Sequence, residues 1–171
     1  MLRGDNVFLR VVDKTDDTTL FFWENDTENW KISNTEIPYS LHSIHQLIEQ
    51  QNDLRVSGQL RFMICENTSS NPIGNIDLYD VNFKHGYATV GILIADKTKR
   101  KQGLAKESLT ILIEYCKQIL ELRNLQCFIH EDNTDSVSLF ENVGFRHVGT
   151  LKKWLKFSGH IYDLHHYQLA L

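Results

Sequence analysis

Arg100-Lys101-Gln102-Gly103-Leu104-Ala105 stands where a run of β-forming residues gives way to a helical pattern, and the rest of the chain is read outward from it. Lys97 and Lys99 join Arg100 and Lys101 in concentrating positive charge just before the turn. Gly103 removes a side chain where the backbone swings into the helix. The first N–H groups of a helix lack intrahelical partners and carry the positive end of its dipole. The turn therefore reads as an anion site. It is not a Walker A loop, because Gly-Lys-Ser/Thr is absent and no second glycine stands five residues upstream of Gly103. Nor is it a Gly-x-Gly-x-x-Gly dinucleotide turn.

Downstream, Ala105, Leu109, Leu112, Cys116 and Ile119 form one apolar stripe at helical spacing, with Leu104, Ile111 and Ile113 beside it. Upstream, Leu60–Glu66, Ile73–Val81 and Tyr87–Ala95 are β-rich runs separated by the turns 67–72 and 82–86, which predicts an antiparallel meander. Before these, Asn6–Val12 alternates as a strand, and Asp13–Trp23 opens on cap residues and reads as a helix. Glu24–Tyr39 is polar and aromatic without a period and reads as a loop. Ser40 heads a second helix to about Gln51, with Leu41, Ile44, Leu47 and Ile48 on one side. After the long helix come a short buried strand, Leu125–Ile129, and a helix, Asn133–Asn142, closed by Gly144. The strands His147–Phe157 and Ile161–Ala170 flank a hairpin tip at Ser158-Gly159. The order βααβββαβαββ predicts an α/β (α+β) fold: a mixed, mostly antiparallel sheet of about seven strands flanked by helices.

The chain has 171 residues and a mass of 19.9 kDa, the size of one compact domain. A formal net charge of −4 disfavours a nucleic-acid partner, which calls for a basic surface. Cys65, Cys116 and Cys127 are odd in number, sit in apolar runs and show no Cys-x-x-Cys spacing, so they read as buried free thiols of a reducing compartment. MLRGDNVFLR has no apolar core of a leader, and no stretch approaches a membrane span. The expectation is a cytoplasmic protein with no membrane partner.

A second motif lies downstream: Asn133-x-x-Ser136 opening a helix, followed by Val143-Gly144-Phe145 entering a strand. With the basic turn, which fits Arg/Gln-x-x-Gly-x-Gly/Ala, it resembles the acyl-CoA signatures of the GNAT superfamily of N-acetyltransferases. The resemblance runs along nearly the whole length, as a single domain over residues 1–171. The closing segment, with Gly159 at a hairpin tip and then Tyr162-Asp163, is similar to the ribosomal-protein alanine N-acetyltransferase and spermidine N-acetyltransferase branches. The resemblance implies acetyl-CoA as acyl donor and an amine acceptor, either a small molecule such as a polyamine or a protein N-terminus. It implies that Arg100, Lys101, Gln102, Gly103, Leu104 and Ala105 hold the pyrophosphate. The peptides of Leu93, Ile94 and Ala95 would pair with pantetheine, one of their N–H groups polarising the thioester carbonyl. Asn133 would bind pantetheine at the opposite lip, and it is equally a plain helix cap.

Two positions depart from the family pattern. Phe140 stands where many members carry a Tyr that protonates the departing thiolate; it can only be core or a wall against pantetheine. Ser136 is then the replacement hydroxyl. Thr89 stands where related sequences place a Glu base. Asp77, Tyr79, Asp80, Glu28 and Glu36 are the nearby candidates, of which Asp77 comes first because it interrupts the apolar pair Ile76 and Leu78; deprotonation through water is the other route. Trp30, Glu36 and Tyr39, in the loop between the first two helices, are candidate acceptor contacts. The eight histidines include His160, His165 and His166, yet strand neighbours face opposite sides and no further ligand stands at a metal spacing, so no metal is expected. The aromatic C-terminal strand could extend its sheet in a homodimer. A non-catalytic acyl-CoA-binding module on the same fold is the rival reading, since both familiar proton-transfer residues are missing.

Overall fold

The computed structural model describes residues 2–51 and 53–171. Eight strands form one sheet: β1 (Leu2–Arg3), β2 (Val7–Val11), β3 (Leu60–Glu66), β4 (Pro72–Asn82), β5 (Tyr87–Ile94), β6 (Asn124–His130), β7 (Arg146–Phe157) and β8 (His160–Ala170). Their order across the sheet is β1-β2-β3-β4-β5-β6-β8-β7, and every pairing is antiparallel except β5 with β6. The strand beyond the expected seven is the two-residue β1, too short to show an alternation.

The helices also refine the sequence reading. Asp13–Trp23 divides into a 3₁₀ turn at Lys14–Asp16, capped by Asp13, and α1 (Asp17–Glu24). The expected loop contains α2 (Trp30–Ser33), and α4 (Leu54–Ser57) was not foreseen; each is a single turn, too short for a period. Ser40 caps α3 (Leu41–Gln50) by accepting from the Ser43 amide. The long helix α5 runs Leu104–Gln118, so Ile119 falls at its cap and is exposed rather than part of the buried stripe. Asn133 caps α6 (Thr134–Glu141).

Alternation along the strands builds a core on each face. Phe62 and Ile64 of β3 pack with Leu109, Leu112 and Cys116 of α5 and Phe140 of α6. Their neighbours Met63 and Cys65 turn to the other face, with Leu20 of α1 and Ile44 and Ile48 of α3. Beyond that second core, toward β6 and β8, the same face becomes polar. Among the described residues no helix is long and apolar enough to cross a membrane.

Candidate active site

The strands β5 and β6 pair only at Tyr87–Asn124, Ala88–Leu125 and Thr89–Gln126, although they run on to Ile94 and His130. Past Thr89, β5 stays with β4 and β6 stays with β8, so the sheet opens as a wedge. The Ala95 N–H donates to the Ile73 carbonyl of the segment facing it. Alternation along the antiparallel ladder then turns Leu93 toward β4 as well and leaves Ile92 and Ile94 facing the opening. The Ile94 carbonyl accepts from Arg100 Nε at 2.9 Å. Of the three peptides expected to meet pantetheine, Ile94 faces the gap while Ala95 is occupied within the sheet. Gly74 lies opposite Ile94, where a Cβ would meet the Leu93 carbonyl oxygen at 2.1 Å.

At the wide end of the wedge the basic run is sorted by its partners. Lys97 is drawn off to Glu28 and Asp26, and Lys99 to Glu66. Arg100 and Lys101 remain at the turn, Lys101 only 3.8 Å from an equally exposed Asp135. Gln102 braces the turn by donating to the Thr98 carbonyl. Gly103 adopts φ 82°, a left-handed conformation, and nothing lies within 4 Å of where its Cβ would be. Glu107 N–H donates to the Gly103 carbonyl as the first rung of α5, so the amides of Leu104, Ala105 and Lys106 have no place in the ladder. Open space, free amides and two cations fit a pyrophosphate.

A cleft of about 330 Å³ occupies the wedge, within the usual range for a small-molecule site. Asn133, Ser136 and Phe140 form one lip. Asn133 Oδ1 accepts from the Ser136 amide at 3.2 Å, the cap geometry, with its amide nitrogen left over. Phe140 is 4% exposed and packs edge-on against Phe145, with ring centroids 5.0 Å apart, so it is core and wall together.

The floor of the cleft is polar. Asp77 takes two hydrogen bonds from Arg61, each 2.8 Å, and one from Asn75 at 3.2 Å; Arg61 reaches Glu24 with its remaining arm. Burial opposes the Arg61 charge, yet Asp77 and Glu24 more than offset it and hold the guanidinium above its ordinary value. Asp77 is thus a committed ion-pair partner. Tyr79 lines the same cleft; burial, reinforced by Asp80, pushes its phenol up to about 12. Cys127 also lines it, and burial raises its thiol far above the ordinary range, so it stays protonated. Thr89 is fully buried at the apex, where its hydroxyl accepts from Gln126, itself bonded to His166.

The candidate acceptor residues separate. Tyr39 lines the cleft. Trp30 does not; its indole N–H donates to the Glu24 carbonyl and fixes the turn of the loop. Glu36 lies with Ser33 and Pro38 in a neighbouring shallow depression. Asp80 sits at the bulge of β4 with φ 50°, and Glu28 is tied to Lys97. Sequence reasoning missed Glu24, Asn29, Lys31, Arg61, Asn75 and His130, all of which line the cleft. The interruption of an apolar strand by Arg61 was the available signal. Among the described residues no group of three or more His, Cys, Asp and Glu side chains could hold a metal.

Residues 6–146 match the family profile described as an acetyltransferase (GNAT) domain. The chain is 25% identical over 169 residues to an uncharacterized N-acetyltransferase p20 of Bacillus licheniformis, covering 98% of this chain and 94% of the relative. It is 27% identical over 156 residues to the spermidine N(1)-acetyltransferase of Vibrio cholerae, covering 91% and 88%. The crystal structure of spermidine N-acetyltransferase from Vibrio cholerae in complex with CoA and spermine superposes with a TM-score of 0.87 at 22% identity, covering 96% of this chain and 95% of that one.

Proposed function

The chain belongs to the GNAT acetyltransferase family, and on that premise we propose that it moves the acetyl group of acetyl-CoA to a primary amine by direct transfer within a ternary complex. The observation that carries the reading is the wedge. Its wide end meets an anion-binding turn, and its acceptor face is a polar pocket, so donor and amine converge between β5 and β6.

In this reading Arg100 and Lys101, with the free amides of Leu104 and Ala105, hold the pyrophosphate. The gap-facing peptides of Ile92 and Ile94 pair with pantetheine, and one of their N–H groups polarises the thioester carbonyl. Asn133 and Ser136 grip pantetheine from the α6 lip, and the Ser136 hydroxyl, which lines the cleft, protonates the departing sulfur. A thiol ionises near 8.5, so a thiolate leaves tolerably well at neutral pH even with Phe140 in place of a Tyr. Asp77 fixes Arg61 and shapes the floor, and Tyr39 borders the acceptor. The Vibrio cholerae relative puts polyamines among the acceptor classes, beside other small amines and protein N-termini.

The test is release of free CoA thiol from acetyl-CoA by the purified protein with panels of amines, polyamines and N-terminal peptides. Thiol release that depends on an acceptor is expected. Tight CoA binding with no release on any acceptor would overturn the reading in favour of a binding module, which Phe140 and Thr89 would then explain.

A further inference from the structure

An alkylammonium must lose a proton before its nitrogen can attack a thioester. Thr89 cannot take it, and both oxygens of Asp77 are engaged by Arg61. Another group on the acceptor face can. His130 is the last residue of β6 and lines the cleft. Continuing the Thr89–Gln126 register past the point of parting sets His130 level with Leu93, across the opening from the peptides Ile92 and Ile94. Alternation turns its side chain away from Cys127 and Ile129, which belong to the α5 core, and toward the face that carries Asp77 and Arg61.

His130 is 5% exposed, and its Nε2 has no hydrogen-bond partner among the described residues. Its Nδ1 lies 2.7 Å from Asp132 Oδ1, close but off the line of a good hydrogen bond. Leaving a buried ring nitrogen without a partner is destabilising, so its presence at a cleft wall points to a ligand that supplies the partner. The charged and titratable groups that face the ring are Asp132 on the following turn, Lys31 on α2 and Tyr162 on β8. Lys31 bonds Asp132 and lies over the Tyr162 ring, 4.2 Å from its centroid, while Tyr162 packs against the imidazole at 4.4 Å. On β8, Asp163 is held by Lys152 and by the contact of its amide with Glu131.

We propose that His130, oriented by Asp132, is the proton acceptor for the incoming amine, a role that rests on the transfer reaction proposed above. The negative charge of Asp132 beside Nδ1 favours the proton on that nitrogen, leaving the Nε2 lone pair for one proton of R–NH3⁺, taken directly or through one water. The freed nitrogen pair forms the N–C bond, and the C–S bond breaks with its electron pair going to sulfur. The second amine proton ends on the thiolate. The imidazolium returns its proton to solvent, which balances the conversion of ammonium and thioester to amide, thiol and one released proton. Imidazole suits the task because it exchanges protons in the neutral range.

The test uses the full chain and the variant His130→Gln. The variant should lose about 100-fold or more in kcat/KM with alkylamines. It should keep its acetyl-CoA affinity by calorimetry and lose a limb of the pH–rate profile that the wild type shows. With trifluoroethylamine, already neutral at pH 7, the two proteins should differ by much less, a pattern that a structural histidine would not give. Independently of turnover, the imidazole 15N resonance of His130, assigned in the wild type through its own backbone and side-chain couplings, should shift when an alkylamine is added to that protein with CoA. Equal alkylamine activity in the variant overturns the inference. So does an unmoved His130 resonance in the wild type, which decides the matter even if the variant fails to fold. Absence of transfer by the wild type itself would instead be a failure of the proposed function.

Discussion

A methyl group on Gly74 would sit 2.1 Å from the Leu93 carbonyl oxygen and 2.9 Å from Ile94 Cα, both backbone atoms that cannot rotate away. Gly74→Ala must push β4 from β5 beside the pantetheine groove. The expected cost is about 1–3 kcal/mol of stability, with weaker acetyl-CoA binding, read by thermal melts and calorimetry. Glu107 titrates with a defined sign. Burial alone would raise its carboxyl, but hydrogen bonds from the Asn6 side chain and the Asn6 and Val7 amides outweigh it and hold the group below its ordinary 4.5. A depressed folded value means that the stabilisation is present above the unfolded value and is lost as pH falls through the folded one. Glu107→Gln should therefore lower the midpoint of denaturation at pH 7, and the difference from the wild type should shrink as pH falls from 4.5 through the lower folded value.

At the scale of elements, the start of α5 combines a left-handed Gly103, free helix amides and two cations, Arg100 and a Lys101 that only loosely approaches Asp135. Gly103→Ala meets no atom, so its effect is backbone strain of about 1–2 kcal/mol. The expected result is a raised KM for acetyl-CoA with kcat largely kept, measured by initial rates at saturating acceptor. This element was legible in the sequence because a charged turn and a helical stripe are both local patterns. Asn133 and Phe140 were legible for the same reason, lying within one short motif. The acceptor floor was not, because Glu24, Arg61 and Asp77 come from α1, β3 and β4 and meet only through register. Alternation said that Asp77 faces away from Ile76 and Leu78; it could not say that Arg61 stands opposite. Single-turn helices such as α2 and α4 leave no periodic trace, and α4 depends on Asp53 capping the Arg55 and Val56 amides.

Across the whole molecule, β3 feeds both cores through alternate residues, so the faces should not unfold separately. Leu20→Ala in one core and Leu109→Ala in the other should each cost about 2–5 kcal/mol and shift one shared cooperative transition, followed by circular dichroism. The balance of charge around the cleft bears on the acceptor. Its carboxylates Glu24 and Asp77 share the single charge of Arg61, and Lys31 is taken up by Asp132, so the group keeps a net negative charge. A second ammonium on the acceptor would meet that charge, so spermidine should show a lower KM than a monoamine of similar length, measured by initial rates at saturating acetyl-CoA. The parting of β5 and β6 has one more outcome. It gives the molecule a sheet edge on the inside, walled by its own strands, so the sticky backbone that usually invites aggregation faces a guest in the cleft rather than a neighbouring molecule. Amide exchange at Ile92 and Ile94 should be rapid in the empty protein and slow sharply when CoA takes the place of the missing strand.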